Sequence, residues 1–159
     1  MEIYVLRHGI AEDGAPGHPD SERRLTPEGK EKLRTILACA RKTGVKPAVV
    51  LSSPYVRAKE TAEIARQELK LAGAIHETSA LTPMEHPEKV WTDIRVYKDA
   101  AQLLVVGHEP LLSGLIAYLI GGGAIDFKKG ALARVDVASL SAHPHGALVW
   151  LLTAKLAGA

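Results

Sequence analysis

Cysteine is nearly absent from this chain. Cys39 is the only one in 159 residues, so no disulfide can form within it. Leu33, Ile36, Leu37 and Ala40 surround it at helical spacing, where a buried, inert thiol is expected. Charge of one sign is also missing. Twenty Lys and Arg stand against 18 Asp and Glu, a net charge of +2 with both signs interspersed. No basic block exists to track a nucleic acid. The calculated pI of 8.7 is a mild bias that suits an anionic substrate without arguing for one. No apolar run approaches the length of a membrane span, and Met-Glu-Ile-Tyr-Val-Leu-Arg-His lacks the basic start of a signal peptide. A cytoplasmic, reducing setting with no membrane partner is the expectation. Repeats, low-complexity tracts and linkers are missing too. Gly121-Gly122-Gly123 is short and late and reads as a loop. One domain over residues 1–159 follows, large enough to bury about two-thirds of its unfolded surface.

What is present is an alternation of apolar runs. Residues 2–6 read as a buried strand and 9–25 as a polar loop rich in Gly and Pro. Thr26-Pro27-Glu28 opens a helix, with Thr as N-cap and Pro in the first turn, and Gly44 closes it. Residues 48–51 are a second strand. Ser52-Ser53-Pro54 opens a helix running to about Leu71. A short strand over 75–78, a helix from Pro87 to about Lys98, a strand over 102–106 and a helix from Pro110 to Ile120 follow. Residues 131–137 and 147–152 then read as an antiparallel pair. Strands alternating with helices predict an α/β fold, a three-layer α/β/α sandwich whose mostly parallel sheet has an antiparallel edge.

In such sheets ligands bind beyond the carboxyl ends of the strands. Three polar segments sit at those ends: Arg7-His8-Gly9, Ser52-Ser53-Pro54-Tyr55-Val56-Arg57, and Gly107-His108-Glu109-Pro110. If their strands are parallel neighbours, two histidines, two arginines and two helix N-termini share one edge. Helix N-termini attract anions, and arginine grips phosphate oxygens in pairs. This is a phosphate site containing histidine. A neutral His8 would attack phosphorus and carry the phosphoryl group, splitting one hard step into two. Its other ring nitrogen is expected to donate to a backbone carbonyl. Arg7, Arg57 and His108 would stabilise the equatorial oxygens, so no metal or other cofactor is required. Gly9 would permit close backbone approach.

Leu6-Arg7-His8-Gly9 resembles the signature of the histidine phosphatases, the phosphoglycerate-mutase-like superfamily. Arg23-Arg24-Leu25-Thr26-Pro27-Glu28-Gly29 resembles its R-x-L-T-x-x-G segment. Ser52 to Ala62 resembles its S-S-P-x-x-R-A-x-x-T-A segment, and Gly107-His108-Glu109-Pro110 its late G-H-x-P. Within the superfamily the chain is most similar to the small phosphohistidine phosphatases of the SixA type. The resemblance implies His8 as nucleophile, Arg7, Arg57 and His108 as the phosphate pocket, and Arg23 in support. It also implies dephosphorylation of phosphohistidine on proteins such as histidine phosphotransfer domains.

One departure stands out. Mutase-like members carry an acidic general acid after the third strand, and here that region reads Ala80-Leu81-Thr82-Pro83-Met84-Glu85-His86-Pro87. Glu85 is the candidate, in surroundings that do not match, and a surface carboxylate is the plainer reading. Lack of an acid favours phosphohistidine, whose imidazole leaves readily once protonated, over an ester hydroxyl. Two alternatives stay open: a phosphomonoesterase or mutase acting on a sugar phosphate or phosphoglycerate, and a non-catalytic phosphate or phosphopeptide binder. His143 and His145, two histidines in a turn without a third ligand, are expected to be loop residues rather than metal ligands. His18, His76 and His86 are expected on the surface, and Trp91 and Trp150 in packing roles.

Overall fold

The computed structural model describes residues 1–159. Its sheet is built from β1 (Glu2–Arg7), β2 (Val49–Ser52), β3 (Ile75–Glu77), β4 (Gln102–Gly107), β5 (Leu132–Val137) and β6 (Gly146–Leu152), in the order β3-β2-β4-β1-β5-β6. The first four strands are mutually parallel. β5 runs antiparallel to β1, and β6 antiparallel to β5. The expected parallel sheet with an antiparallel edge is therefore the observed one.

Strand periodicity divides the core into two layers. Ile3, Tyr4, Val5 and Leu6 are all buried, the continuous apolar run of a strand covered on both faces. Successive side chains point to opposite faces. Ile3 and Val5 pack with Val90, Trp91 and Ile94 of α3 (Pro87–Val96) and with Leu112, Leu115 and Ile116 of α4 (Leu111–Ile120). Tyr4 and Leu6 pack with Leu33, Ile36 and Leu37 of α1 (Pro27–Arg41) and with Ala58, Ala62 and Ala65 of α2 (Val56–Glu68). Each large side chain removed from water contributes roughly 1.5–3 kcal/mol, so the two layers dominate stability. A short C-terminal helix, α5 (Ala154–Ala157), completes the chain.

α1 begins as its sequence signals: the Gly29 N–H donates to the Thr26 hydroxyl at 3.0 Å, with Pro27 at the first helical position. Other boundaries differ from expectation. α2 starts at Val56, and Ser53 does not cap it; its hydroxyl instead accepts from the Tyr55 N–H at 3.3 Å, turning the chain before the helix. α2 ends at Glu68 and α3 at Val96, each a few residues early, because the apolar pattern outlasts the hydrogen-bonded helix: Leu69 and Leu71 are still buried. The loop 9–25 holds a one-turn 3-10 segment, Asp20–Glu22, and is closed at its neck by a bridge between Ala11 and Leu25. Cys39 is half-buried rather than buried, since it lines a small apolar cavity with Ala40, Thr43 and Trp150 between α1 and β6. Trp91 is buried, and Trp150 packs on Tyr4 with ring centroids 6.0 Å apart. His18, His76 and His86 are exposed.

Candidate active site

β1, β4 and β2 are neighbours, and their carboxyl ends are stitched together by the chain that leaves them. The His8 N–H donates to the Gly107 carbonyl and the Ser53 N–H to the Val106 carbonyl, each at 3.0 Å. The Gly130 N–H donates to the His8 carbonyl, also at 3.0 Å. Strand alternation carries the β1 pattern one step further: Arg7 follows Ile3 and Val5, while His8 follows Tyr4 and Leu6. His8, Arg57 and His108 are 7%, 4% and 1% exposed, polar residues at the end of an apolar core.

His8 has one committed nitrogen. Nδ1 lies 2.7 Å from the Gly9 carbonyl oxygen, which can only accept, so Nδ1 carries the proton. Nε2 therefore holds the lone pair, and the Arg57 Nε–H donates to it at 3.3 Å. Burial, reinforced by the positive charges of Arg57 and Arg7, pushes the His8 pKa down to about 4. A neutral imidazole whose Nε2 is unprotonated is what nucleophilic attack needs at neutral pH, with the long hydrogen bond from Arg57 given up as Nε2 turns to phosphorus.

Arg57 sits in the first turn of α2, directly beyond β2. Nη1 donates to the Asp20 carbonyl at 2.6 Å and Nη2 to the Asp20 carboxylate at 2.8 Å. The other Asp20 oxygen accepts from Arg23 Nη1 at 2.8 Å, and Arg23 Nε donates to the Glu12 carbonyl at 2.6 Å. The two guanidiniums, Arg23 first, hold the Asp20 carboxyl below the usual carboxylate range. The Tyr55 ring closes one side, 5.0 Å from the guanidinium carbon of Arg57 and with its centroid 5.0 Å from that of His108.

The His108 ring centroid lies 5.0 Å from that of His8. Its Nε2 meets the Ser53 hydroxyl at 2.8 Å, and its buried Nδ1 has no partner. Burial first, then the nearby charges, lowers its pKa to about 3. Arg7 Nη1 donates to the Phe127 carbonyl at 2.6 Å, and its Nε is the other buried polar atom without a partner. Buried polar atoms are rarely left unpaired, and Arg7 Nε and His108 Nδ1 are the two that are here. Two guanidiniums whose charge is felt by two neutral imidazoles form a set that suits a phosphoryl group.

The structure thus brings together Arg7, His8, Arg57 and His108, as the strand-end pattern anticipates. Arg23 reaches them only through Asp20. A Cβ on Gly9 would stand 2.7 Å from Leu33 Cδ1 and 3.2 Å from the Gly29 carbonyl oxygen, so the buried Leu33 side chain would have to shift to admit one. Glu85 pairs with Lys89 at 2.7 Å, one turn along, and makes no hydrogen bond to the histidines or arginines of the site. Sequence reasoning misses Asp20, Ser53 as the partner of His108, and the packing of Tyr55 against Arg57 and His108. Asp20 and Arg23 do stand three apart, but such pairs are common in polar loops and point nowhere by themselves.

The match to known proteins follows the same residues. The model of the histidine phosphatase superfamily (branch 1) matches residues 3–88, more than half of the chain and inclusive of His8 and Arg57. The chain belongs to that superfamily. It is 30% identical, over 140 residues and 86% of both chains, to the phosphohistidine phosphatase SixA of Escherichia coli. The structure of the protein histidine phosphatase SixA complexed with tungstate superposes with a TM-score of 0.89 at 28% identity, covering 98% of both chains. The fold alone is shared with the alpha-ribazole phosphatase of Shigella flexneri, at a TM-score of 0.76, 19% identity and 97% coverage of each chain. This histidine phosphatase is therefore an enzyme with a SixA-like, phosphoglycerate-mutase-like fold. None of its helices is long and apolar enough to cross a membrane.

Proposed function

We propose that this phosphatase removes the phosphoryl group from phosphohistidine on a protein, through a phosphohistidine formed on His8. The observation that carries the substrate class is the state of the carboxyl groups. Asp20 is held ionised between two arginines, and Glu85 is tied to Lys89. Glu109 accepts from the Ser113 N–H at 2.9 Å, at the start of α4. Each of these three carboxyl groups is thus committed to an arginine, a lysine or a backbone N–H, an arrangement that suits a leaving group departing without a proton from a carboxyl. Protonated imidazole is such a group. The identity to SixA supports the same reading.

The reaction runs in two displacements. The His8 Nε2 lone pair attacks phosphorus, and the P–N bond of the substrate breaks. Its electron pair goes to the departing imidazole, which leaves neutral because its second nitrogen is already protonated. Arg57, Arg7 and His108 hold the equatorial oxygens while the charge shifts. The Nδ1–H bond to the Gly9 carbonyl supports the positive charge that His8 carries as a phosphohistidine. Water then attacks phosphorus, the P–Nε2 bond breaks, and orthophosphate leaves with His8 neutral again.

Phosphate release from a histidine-phosphorylated phosphotransfer protein and from a panel of phosphate esters, measured side by side with EDTA present, tests this. Fast release from the phosphoprotein with slow ester turnover is expected. Fast ester hydrolysis would instead assign the protein to the small-molecule phosphatases and make Glu85 the next residue to change.

A further inference from the structure

The loop over residues 12–24 is the part of the site that lies outside the strands and α-helices, with only the one-turn segment Asp20–Glu22 as regular structure. Residues 12–20 are all exposed, yet Asp20 reaches Arg57, whose side chain is 5% exposed against 56% for its own. A guanidinium is planar, with five N–H groups in a rigid fork. Once two nitrogens are held, the direction of the third is set. Asp20 takes one N–H from each of the two terminal nitrogens, through its carbonyl at 2.6 Å and its carboxylate at 2.8 Å. Arg57 Nε is thereby turned toward His8 Nε2 at 3.3 Å. The edge formed by Nε and the second N–H of Nη2 is the one Asp20 leaves unused, and its Nε–H, which donates to His8 Nε2, would pass to a phosphoryl oxygen as Nε2 attacks.

We propose that Asp20 is a positioning residue. It holds the outer edge of the Arg57 guanidinium so that the inner edge is presented to the phosphoryl group on His8, and Arg23 acts on the reaction only through Asp20. The inference rests on the reading of His8 as nucleophile. Its pieces form one continuous chain: the Glu12 carbonyl holds Arg23 at 2.6 Å, Arg23 holds one Asp20 oxygen at 2.8 Å, and the other oxygen holds Arg57. An exposed ion pair alone contributes little to stability. Here the buried partner faces the reacting atoms, so the consequence of losing it falls on geometry. Misplacement of a catalytic group by an ångström costs about 10²-fold in rate.

The test uses the full chain, on whichever of a phosphohistidine protein, phosphoramidate or a phosphate ester the wild type turns over fastest. A failure of the substrate assignment therefore leaves it standing. Asp20→Ala should lower kcat by roughly 30- to 100-fold. It should also weaken inhibition by orthophosphate by about tenfold, with KM changed less than kcat. Asp20→Ala leaves Arg57 only the main-chain carbonyl of residue 20, whereas Asp20→Asn restores an uncharged side-chain acceptor and should recover about half of that loss on a logarithmic scale. Arg23→Ala should cost only about threefold, and Asp20→Ala with Arg23→Ala should be no slower than Asp20→Ala alone. An unchanged kcat in Asp20→Ala, or in Asp20→Asn if the alanine variant does not fold, would reduce Asp20 to a tether for the loop and overturn the proposal. A double variant slower by the full Arg23→Ala factor would overturn the claim that Arg23 acts through Asp20. Turnover surviving in His8→Ala would instead overturn the nucleophile assignment on which the proposal stands.

Discussion

Two halves of the site are built in opposite ways. His8, Ser53 and His108 leave the ends of adjacent strands almost wholly buried; backbone hydrogen bonds to Gly107 and Gly130 fix His8, one to Val106 fixes Ser53, and the His108 carbonyl accepts from the Leu112 N–H. Asp20 and Arg23 come from an exposed loop, fixed by side-chain hydrogen bonds and one bridge at its neck. The first half cannot shift without disturbing the sheet. The second is held by side-chain hydrogen bonds from exposed residues rather than by buried packing. Under the function proposed above, the group that attacks phosphorus is the one fixed by the sheet. Arg57 joins the two halves, with its backbone in α2 and its guanidinium in the hands of the loop.

The sharpest way to break this comparison is at the nucleophile. His8→Ala should lower kcat by on the order of 10⁴-fold or more while melting within a few degrees of wild type. Near-normal rates in a folded variant would remove His8 from the chemistry. Next comes the joint between the halves. Arg57→Lys keeps the charge but cannot bridge Asp20 and the phosphoryl group, so kcat/KM should drop about 10²- to 10³-fold; a loss under tenfold would mean that charge alone suffices. Asp20→Ala, at roughly 30- to 100-fold in kcat, ranks third. Ser53→Ala removes the partner of His108 Nε2 and should lower kcat/KM by about tenfold, the size expected for one lost hydrogen bond. Unchanged kinetics would show that His108 is oriented by packing on Tyr55 and His8 instead.

The smallest effect is on stability against pH, and its sign follows from the two histidines. Both have folded-state pKa values, about 4 and about 3, below the ordinary 6.5. Between pH 6.5 and those values the unfolded chain binds more protons than the folded one. The stabilising contribution is thus fully present above pH 6.5 and is lost as pH falls toward 4 and 3. Each tenfold difference in proton affinity between the folded and unfolded chain is worth about 1.4 kcal/mol. Melting temperatures between pH 7 and 4 should fall less steeply for His8→Ala than for wild type. Equal slopes would mean that His8 is not held neutral by its surroundings.

Much of this is legible in the chain. Continuous apolar runs such as Ile3-Tyr4-Val5-Leu6 and Leu103-Leu104-Val105-Val106 announce strands covered on both faces, and Thr26-Pro27 announces α1. The placement of Arg7-His8-Gly9, Ser53 to Arg57 and Gly107-His108 at strand ends is enough to gather four site residues. Asp20 is not legible, because its partner is 37 positions away and nothing local distinguishes an acid in a polar loop. Gly9 suggests backbone freedom near a ligand, whereas the crowding there comes from Leu33. Ser53 has the residue type of a helix cap, yet its hydroxyl takes the Tyr55 N–H and meets His108.

The sequence by itself determined the layers, the parallel sheet and the kind of chemistry. Hydrophobic period and residue type are local properties, and a histidine or arginine directly after a strand has few places to go. Tertiary structure decided which nitrogen of His8 is free, which atoms of Arg7 and His108 lack partners, and which carboxylate holds Arg57. Those depend on angles and distances between segments far apart in the chain, where one ångström or one rotated ring changes donor into acceptor and a bystander loop into part of the site.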